Sequence, residues 1–269
     1  MAWNDAISGE ITVSRSAVES GVLAPEVWHL WVGDAASEDP AAVLAALTQT
    51  ADADVVIARY ASGQVWIAAP LASCGRTVVP AGNIIYWQRT HPIAAAEAAE
   101  HDAHIRLLRT DDADRCRALI AATFAGYTNH YVANPWLAPI STADAYADWA
   151  VRSLGQVDLE VVEWVDAGGE PSGIGLTRRT DDHVEILLAG MVPASRGRGG
   201  YSAFLAAIVN RALTGGAARV VISTQDHNVA VQRLWCRAGF EPVLGVTVVH
   251  LVDRSLAGGT SRNMDASGS

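Results

Sequence analysis

A glycine-rich basic turn between a strand-like and a helix-like stretch carries the clearest chemical signal in this chain. The apolar run from Val184 to Met191 predicts a strand, and the residues from Tyr201 to Leu213 predict a helix. Glycines in such a turn let an anion approach the main-chain N–H groups at a helix N-terminus, and arginines add positive charge. The predicted anion-binding residues are Arg196, Gly197, Arg198, Gly199, Gly200 and Tyr201.

Glycines before a helix also occur in Walker loops, in dinucleotide fingerprints and in surface turns without a ligand. A Walker loop requires a lysine, and the chain has none. A dinucleotide fingerprint requires Gly-x-Gly-x-x-Gly and an acidic ribose ligand, and neither accompanies this turn. The surface turn stays open as an alternative.

A second predicted strand, turn and helix follow between residues 219 and 239. Arg219 to Thr224 predicts a short buried strand, and the polar residues up to Asn228 predict a turn that caps a helix. The helix is predicted from Val229 to Ala238, and it ends at Gly239.

The two segments together resemble the acyl-CoA-binding motifs of the GNAT acyltransferase superfamily. The pyrophosphate loop of that family reads Arg/Gln-x-x-Gly-x-Gly/Ala. Arg196 and Gly199 match its first and fourth positions, whereas Tyr201 stands at the sixth. The run from Asn228 to Phe240 is similar to the family pattern Asn-x-x-Ala-x-x-Leu-Tyr-x-x-x-Gly-Phe. The resemblance covers about residues 104 to 252 and implies acetyl-CoA as the co-substrate, with no metal.

The resemblance also implies roles for individual residues. The backbone N–H of Met191 would bind the thioester carbonyl, and the main-chain N–H groups from Gly197 to Tyr201 would bind the pyrophosphate. Asn228 would hydrogen-bond the pantetheine arm, and Arg233 would approach the phosphates. Glu185 stands where GNAT enzymes often carry a carboxylate, so it would accept a proton from the attacking amine. An exposed strand glutamate is the alternative for Glu185.

Trp235 occupies the position at which the family usually has a tyrosine that protonates the departing thiolate. An indole N–H donates a hydrogen bond but does not release its proton at usable pH. Trp235 would therefore stabilise the sulfur without acting as an acid. The alternative is that Trp235 is a core aromatic residue.

A segment rich in aromatic and polar side chains lies between residues 124 and 137. Such side chains suit stacking and hydrogen bonding to a polar acceptor molecule. The candidates for this contact are Tyr127, His130, Tyr131 and Asn134. Packing of these aromatic residues onto the sheet is the alternative.

The element order predicts an α/β protein with a mixed sheet and two domains. By the resemblance, residues 104–254 would form the GNAT domain, and residues 1–95 would form a small α/β domain for which a degenerate half-GNAT is one option. In the small domain Gln64 to Ala69 is expected to form a strand and Pro40 to Ala51 a helix. The domain resembles the N-terminal domain of two-domain TDP-fucosamine-type amino-sugar acetyltransferases. Residues 255–269, small and polar, predict a disordered tail.

The amino-acid composition restricts the kinds of partner and the location that we expect for the protein. The net charge of −10 disfavours extended binding to nucleic acid, and no apolar stretch is long enough to cross a bilayer. Three unpatterned cysteines and the absence of a secretory signal predict a cytoplasmic protein. An edge strand is expected around Thr247 to Leu251, and it would support a homodimer.

The sequence thus predicts an N-acyltransferase that moves an acetyl or other short acyl group from acyl-CoA to the primary amine of a small molecule. An amino sugar or a secondary metabolite would be the acceptor, attacking directly in a ternary complex. One alternative keeps the fold but takes the acyl group from a carrier protein or an aminoacyl-tRNA in a biosynthetic pathway. Another is a non-catalytic acyl-CoA-binding module.

Overall fold

The computed structural model describes residues 3–16, 19–20, 25–93, 103–137 and 142–259 of the chain. Contacts divide the chain into two compact units. The first unit comprises Met1–Ile85, Asn129–Ile140 and Leu244–Ser269, and the second comprises Tyr86–Thr128 and Ser141–Val243. Both units are therefore built from separate stretches of sequence.

The helices and strands follow one another in a mixed α/β order. In chain order they are α1 (Trp3–Ile7), β1 (Ile11–Arg15), β2 (Val27–Val32), α2 (Pro40–Thr48), β3 (Val55–Ala61), α3 (Ala68–Ser73), β4 (Thr77–Arg89), β5 (Ile105–Leu107), α4 (Ala113–Thr123), α5 (Thr142–Ser153), β6 (Leu159–Val165), β7 (Pro171–Arg179), β8 (His183–Met191), α6 (Gly200–Thr214), β9 (Arg219–Gln225), α7 (Val229–Arg237), β10 (Glu241–Val252) and α8 (Arg254–Gly259). Strands β4 and β10 each cross a boundary between the units.

In the first unit, strands β2 and β3 pair in parallel. Strand β1 pairs antiparallel with β2, and the end of β10 pairs antiparallel with β3. Helices α2 and α3 cover this sheet with a buried apolar core that includes Leu30, Val43, Leu47, Ile67 and Leu71. Helix α2 begins at Asp39, whose side chain accepts a hydrogen bond from the Ala42 N–H at 3.0 Å.

Two local predictions for this unit are wrong. Residues 65–67 form a 3-10 helix that leads into α3, where a strand was expected from Gln64 to Ala69. Burial recurs at every third residue, at Gln64, Ile67 and Pro70, which is the spacing of a helical turn and not the alternation of a strand. The expected edge strand around Thr247 to Leu251 is an interior strand, because β10 lies between β3 and β4.

The second unit holds an antiparallel sheet of β5, β6, β7 and β8, followed by β9, which is parallel to β8. Helices α4 and α5 pack on this sheet through a buried cluster that includes Ile120, Ala147, Ile174 and Leu176. Helix α6 also packs against the sheet, where the rings of Phe204 and Trp164 lie 5.7 Å apart. Apolar burial of this kind supplies most of the stability of such a layered fold.

The division into units differs from the sequence-based boundaries. The first unit ends at Ile85 and takes in residues 129–140 and 244–259, whereas the sequence predicted one continuous domain up to residue 95. The domain boundaries themselves stay a prediction. Residues 254–259 form helix α8 at the start of the predicted tail, and residues 260–269 lie outside the described residues. No helix among the described residues is both long and apolar enough to cross a membrane.

A buried polar network holds segment 129–137 within the first unit. The Arg59 guanidinium of β3 donates to His130 Nε2 at 3.3 Å, and His130 Nδ1 lies 3.0 Å from His250 Nε2 on β10. Asn134 Nδ2 lies 3.2 Å from His250 Nδ1. These residues are between 0% and 4% exposed, so they form part of the interior.

Charge in this network is balanced inside the unit. The Tyr131 hydroxyl and the His29 ring both hydrogen-bond the carboxylate of Glu19. Burial raises the pKa of Glu19, but the hydrogen bond and charge of His29 and the charge of Arg59 outweigh it, so the pKa is lowered. Burial lowers the pKa of His250 to about 3, and Arg59 lowers it further. Burial and the same guanidinium also hold the pKa of His130 well below its ordinary value.

We expect the free energy of unfolding to decrease as the pH falls from 7 to 4. His130 and His250 both bind a proton more readily in the unfolded chain, where the pKa of a histidine is about 6.5. The contribution of His250 is therefore complete above about pH 6.5 and is lost as the pH falls toward 3, at up to about 1.4 kcal/mol per pH unit, and His130 changes stability in the same direction. Urea denaturation at pH 7, 6, 5 and 4 measures this slope.

The variants His250→Gln and His227→Gln separate this effect from a general acid effect. His227 is exposed, with 60% of its side chain accessible, so its variant should keep the slope of the wild-type protein. His250→Gln should reduce the slope even where it lowers stability at pH 7. Equal slopes in the two variants would contradict the assignment.

Candidate acyl-CoA site

The candidate site starts where strands β8 and β9 of the second unit separate. Their parallel register pairs His183 with Arg219 and ends with Ile186 opposite Ile222, although β8 continues to Met191. On its other side β8 stays paired with β7, but the register shifts, so that Leu187 has no residue opposite it. This β-bulge turns the strand just where it leaves β9.

The bulge leaves backbone N–H groups of β8 directed toward the gap. The Val192 N–H donates to the Ser172 carbonyl at 3.0 Å, so this pair is hydrogen-bonded across the two strands. In an antiparallel ladder the direction of the N–H groups alternates along the strand. The N–H groups of Met191 and Ala189 therefore face away from β7, on the side where β9 has separated from β8. Met191 itself is 6% exposed.

The glycine-rich turn follows β8 after a short 3-10 helix, Pro193–Ser195, and is exposed. Gly197 and Gly199 have φ angles of +74° and +79°, and an added Cβ would meet nothing within 4 Å at either position. Among the described residues, the amides from Gly197 to Tyr201 donate to no backbone carbonyl, whereas the next amide, that of Ser202, donates to the Gly199 carbonyl at 3.0 Å. Five consecutive free N–H groups at the N-terminus of α6 form a concave donor set for an anion.

Arginines contribute to this turn in different ways. Arg196 Nε donates to the Met191 carbonyl at 3.2 Å, and its Nη2 donates to the Thr123 carbonyl at 2.6 Å. Its side chain therefore fastens the turn to the ends of β8 and α4. The side chains of Arg198 in the turn and Arg233 on α7 are exposed, so their charge is accessible to an anionic ligand.

Asn228 lies at the start of α7, directly after β9. Its Nδ2 donates to Thr224 Oγ1 at 3.0 Å, so the Thr224 hydroxyl fixes the direction of the amide. This contact leaves the Asn228 carbonyl oxygen as the acceptor for an amide N–H of a ligand. Helix α7 ends at Arg237, and Gly239 two residues later has a φ angle of +74°, as expected of the predicted helix-stop position.

Trp235 is in the core of the second unit. It is 2% exposed, and its ring lies 6.3 Å from that of Trp87 in an edge-to-face arrangement. Its Nε1 donates to the Tyr201 hydroxyl oxygen at 3.2 Å. The indole N–H is thus already used within the protein, so any catalytic role of Trp235 acts through Tyr201.

Glu185 is buried, with 4% of the residue exposed, and lies two positions before the bulge. It stands opposite Arg178 of β7 and Val221 of β9. Its neighbour Val184 lines a cavity against α6, so the alternation of a strand places Glu185 on the other face of the sheet. The burial contradicts the alternative of an exposed strand glutamate.

The four predicted acceptor residues belong to different units. Tyr127 lies in the second unit, where burial raises the pKa of its hydroxyl and a hydrogen bond from Thr224 partly offsets this. His130, Tyr131 and Asn134 lie in the first unit and belong to its buried polar network. The near-complete burial of His130 and Asn134 favours the packing alternative for these two side chains.

A cavity of about 560 Å³ lies elsewhere in the second unit. Its lining includes Glu160 and Thr177 on the strands and Ala207 and Arg211 in the C-terminal half of α6. It contains none of the residues predicted to bind acyl-CoA. The candidate site is thus defined by backbone donors and the strand gap, not by this cavity.

Three participants were not predicted from the sequence. The Ala189 N–H faces the same gap as that of Met191, the Thr224 hydroxyl orients Asn228, and the Tyr201 hydroxyl accepts from Trp235. The strand alternation from Ala189 to Met191 was a usable signal for the first. The contact between Tyr201 and Trp235 joins residues 34 positions apart and had no sequence signal.

Comparison with known proteins shows the fold and little sequence similarity. No family model matches the chain, and no curated protein matches it. A Staphylococcus epidermidis protein of unknown function has 14% identity and a TM-score of 0.57, with 94% of this chain and 98% of that chain covered.

Two further solved structures are GCN5-related N-acetyltransferases. The protein from Sphaerobacter thermophilus is 15% identical with a TM-score of 0.57, and the alignment covers 90% of this chain and 76% of that one. The protein from Kribbella flavida is 15% identical with a TM-score of 0.50, and the alignment covers 84% and 81%. The present chain therefore has the fold of the GNAT N-acetyltransferases.

Proposed function

We propose that this protein is an N-acyltransferase that transfers an acetyl or other short acyl group from acyl-CoA to the primary amine of a small molecule. The five free amides from Gly197 to Tyr201 are the observation that carries the proposal, because a diphosphate is the ligand that such a donor set fits. Close to them β8 is no longer paired with β9, and the resulting gap would accommodate an extended thioester arm. The GNAT fold supports the same reaction class.

Binding roles follow from the described geometry. The amides of the turn would hold the pyrophosphate, with Arg198 and Arg233 supplying accessible positive charge. The Asn228 carbonyl oxygen would accept from an amide of the pantetheine arm. The Met191 N–H, directed toward the gap, would bind the thioester carbonyl oxygen and stabilise the negative charge that develops on it.

Glu185 is the proposed general base. A buried carboxylate near the gap would accept the proton that the amine loses, directly or through water. Tyr127 is the proposed contact for the acceptor in the second unit. Amino sugars are the first acceptors to examine, since the two-domain resemblance points to them, and the cytoplasm is the proposed location.

Calorimetry of CoA with two glycine variants tests the proposed binding turn. Gly199→Ala and Gly216→Ala introduce a Cβ at φ angles of +79° and +92°, and the space around both Cβ atoms is open. Each substitution should lower stability by about 1–2 kcal/mol because alanine is strained at such angles. Only Gly199→Ala should weaken CoA binding, about tenfold, because it displaces the amides that face the phosphates.

Gly216 follows the C-terminus of α6, so its variant is the matched control for strain. Wild-type protein that does not bind CoA would refute the proposed function. Equal loss of CoA affinity in the two variants would show that strain, not the turn, determines binding.

Glu185→Gln tests the proposed base. The rate constant kcat should fall by about 10²- to 10⁴-fold, and the acid limb of the pH–rate profile should disappear because glutamine does not accept the proton. CoA affinity, measured by calorimetry, should stay the same. Initial rates would be measured with acetyl-CoA and a panel of amines that includes amino sugars.

Glu163→Gln is the matched control, because Glu163 is a buried glutamate on strand β6 of the same sheet, and it binds Arg115 at 2.7 Å. It should lower stability and leave kcat unchanged. Turnover in wild-type protein with an unaltered pH profile in Glu185→Gln would exclude Glu185 as the base. No product with any amine, despite CoA binding, would favour a binding module.

A further inference from the structure

Two departures from the GNAT sequence pattern meet in space. Tyr201 stands at the loop position where glycine or alanine is usual, and Trp235 stands at the helix position where tyrosine is usual. In the structure the Trp235 indole N–H donates to the Tyr201 hydroxyl oxygen at 3.2 Å. Helix α7 thus lacks the tyrosine that is usual in the family, but the phenol of Tyr201, on the first turn of α6, contacts the Trp235 side chain that replaces it.

Of this pair, Tyr201 is the member whose donor is still available. Trp235 is 2% exposed and its single donor is already used, so it cannot contact a leaving group itself. Tyr201 is partly exposed and directly follows the turn with the free amides. Among the described residues its oxygen serves as an acceptor, and no acceptor is present for its own O–H proton.

Building on the proposed function, we propose that Tyr201 donates a hydrogen bond to the leaving sulfur during acyl transfer, and that Trp235 is the residue that positions it. Because the indole N–H occupies a lone pair of the phenol oxygen, it restrains the tyrosine side chain and leaves the O–H available as a donor. A tyrosine in the loop and a tryptophan on the helix thereby supply the function of one tyrosine.

The acidity of the phenol fits a donor that keeps its proton. Burial raises the pKa of Tyr201 to about 12, the hydrogen bond from Trp235 lowers it, and the neighbouring Tyr127 raises it. The phenol is therefore protonated throughout the neutral pH range. A thiolate, with an ordinary pKa near 8.5, accepts a hydrogen bond from such a group without taking its proton.

The reaction balances without a further reactant. The amine nitrogen forms a bond to the acyl carbon and loses one proton to Glu185, which passes it to solvent. The carbon–sulfur bond breaks, its electron pair stays on sulfur, and the Tyr201 O–H stabilises that charge. The released thiolate takes a proton from water, and Tyr201 returns to its starting state.

The test compares the affinities of CoA and desulfo-CoA, which lacks the sulfur, at pH 7 and pH 9.5 by calorimetry. In wild-type protein the ratio of the two affinities should rise about tenfold between these values, because the thiolate forms near pH 8.5 and accepts a charge-assisted hydrogen bond. Tyr201→Phe should abolish the rise while desulfo-CoA affinity stays within threefold. Its kcat should fall by about 10- to 100-fold.

Tyr146→Phe is the matched control, since it removes a phenol oxygen from the same unit at a residue that packs against Phe124. It should keep both the rise in the ratio and kcat. A rise of equal size in Tyr201→Phe, unchanged kcat, or equal losses of CoA and desulfo-CoA affinity would overturn the role of Tyr201. If Tyr201→Phe does not fold, a flat ratio in wild-type protein would overturn it.

The two proposals fail in different ways. Wild-type protein that binds no CoA refutes the proposed function and, with it, the role of Tyr201. Wild-type protein that binds CoA and acetylates an amine, but shows no thiolate-dependent affinity, refutes the role of Tyr201 alone.

Discussion

The separation of β8 from β9 after Ile186 and Ile222 is the constraint on which the candidate site depends. Leu187 is the extra residue of a bulge, so the strand turns away from β9 while its other edge stays paired with β7. An unpaired N–H in a protein interior costs about 1–3 kcal/mol, which is why strands seldom separate without a reason. Here the separation leaves the N–H groups of Met191 and Ala189 facing away from β7, at the position proposed for the thioester carbonyl.

The first unit shows the same order of elements without this opening. In it β2, α2, β3 and α3 follow one another as β8, α6, β9 and α7 do in the second unit, and β2 and β3 are also parallel. But their register runs unbroken from Val27 and Val55 to Val32 and Tyr60. The loop before α2 carries Asp34, Glu38 and Asp39 in place of arginines. The first unit thus lacks the strand separation and the arginine-bearing turn that define the proposed diphosphate site, and a degenerate half-GNAT stays a prediction.

Hydrogen bonds to neighbouring residues hold the groups of the candidate site in place. Arg196 uses two of its donors on backbone carbonyls at the ends of β8 and α4, so its charge holds the turn and is only partly available to a ligand. The Thr224 hydroxyl accepts a hydrogen bond from the Asn228 side-chain amide and thereby fixes its direction. Groups fixed in this way lose less entropy when a ligand binds, so the residues around a site contribute as much as those that touch the ligand.

The sequence by itself determined the elements around the glycine turn, because apolar periodicity and glycine positions are local signals. Strand β8, the turn, helix α6 and strand β9 lie close to their predicted bounds, and the GNAT fold was predicted correctly. Only the tertiary structure decided which side chains meet. Tyr201 joins Trp235, and His130 joins Arg59 and His250, across 34 to 120 residues of chain. Such contacts depend on how sheets and helices pack, and no local spacing encodes them.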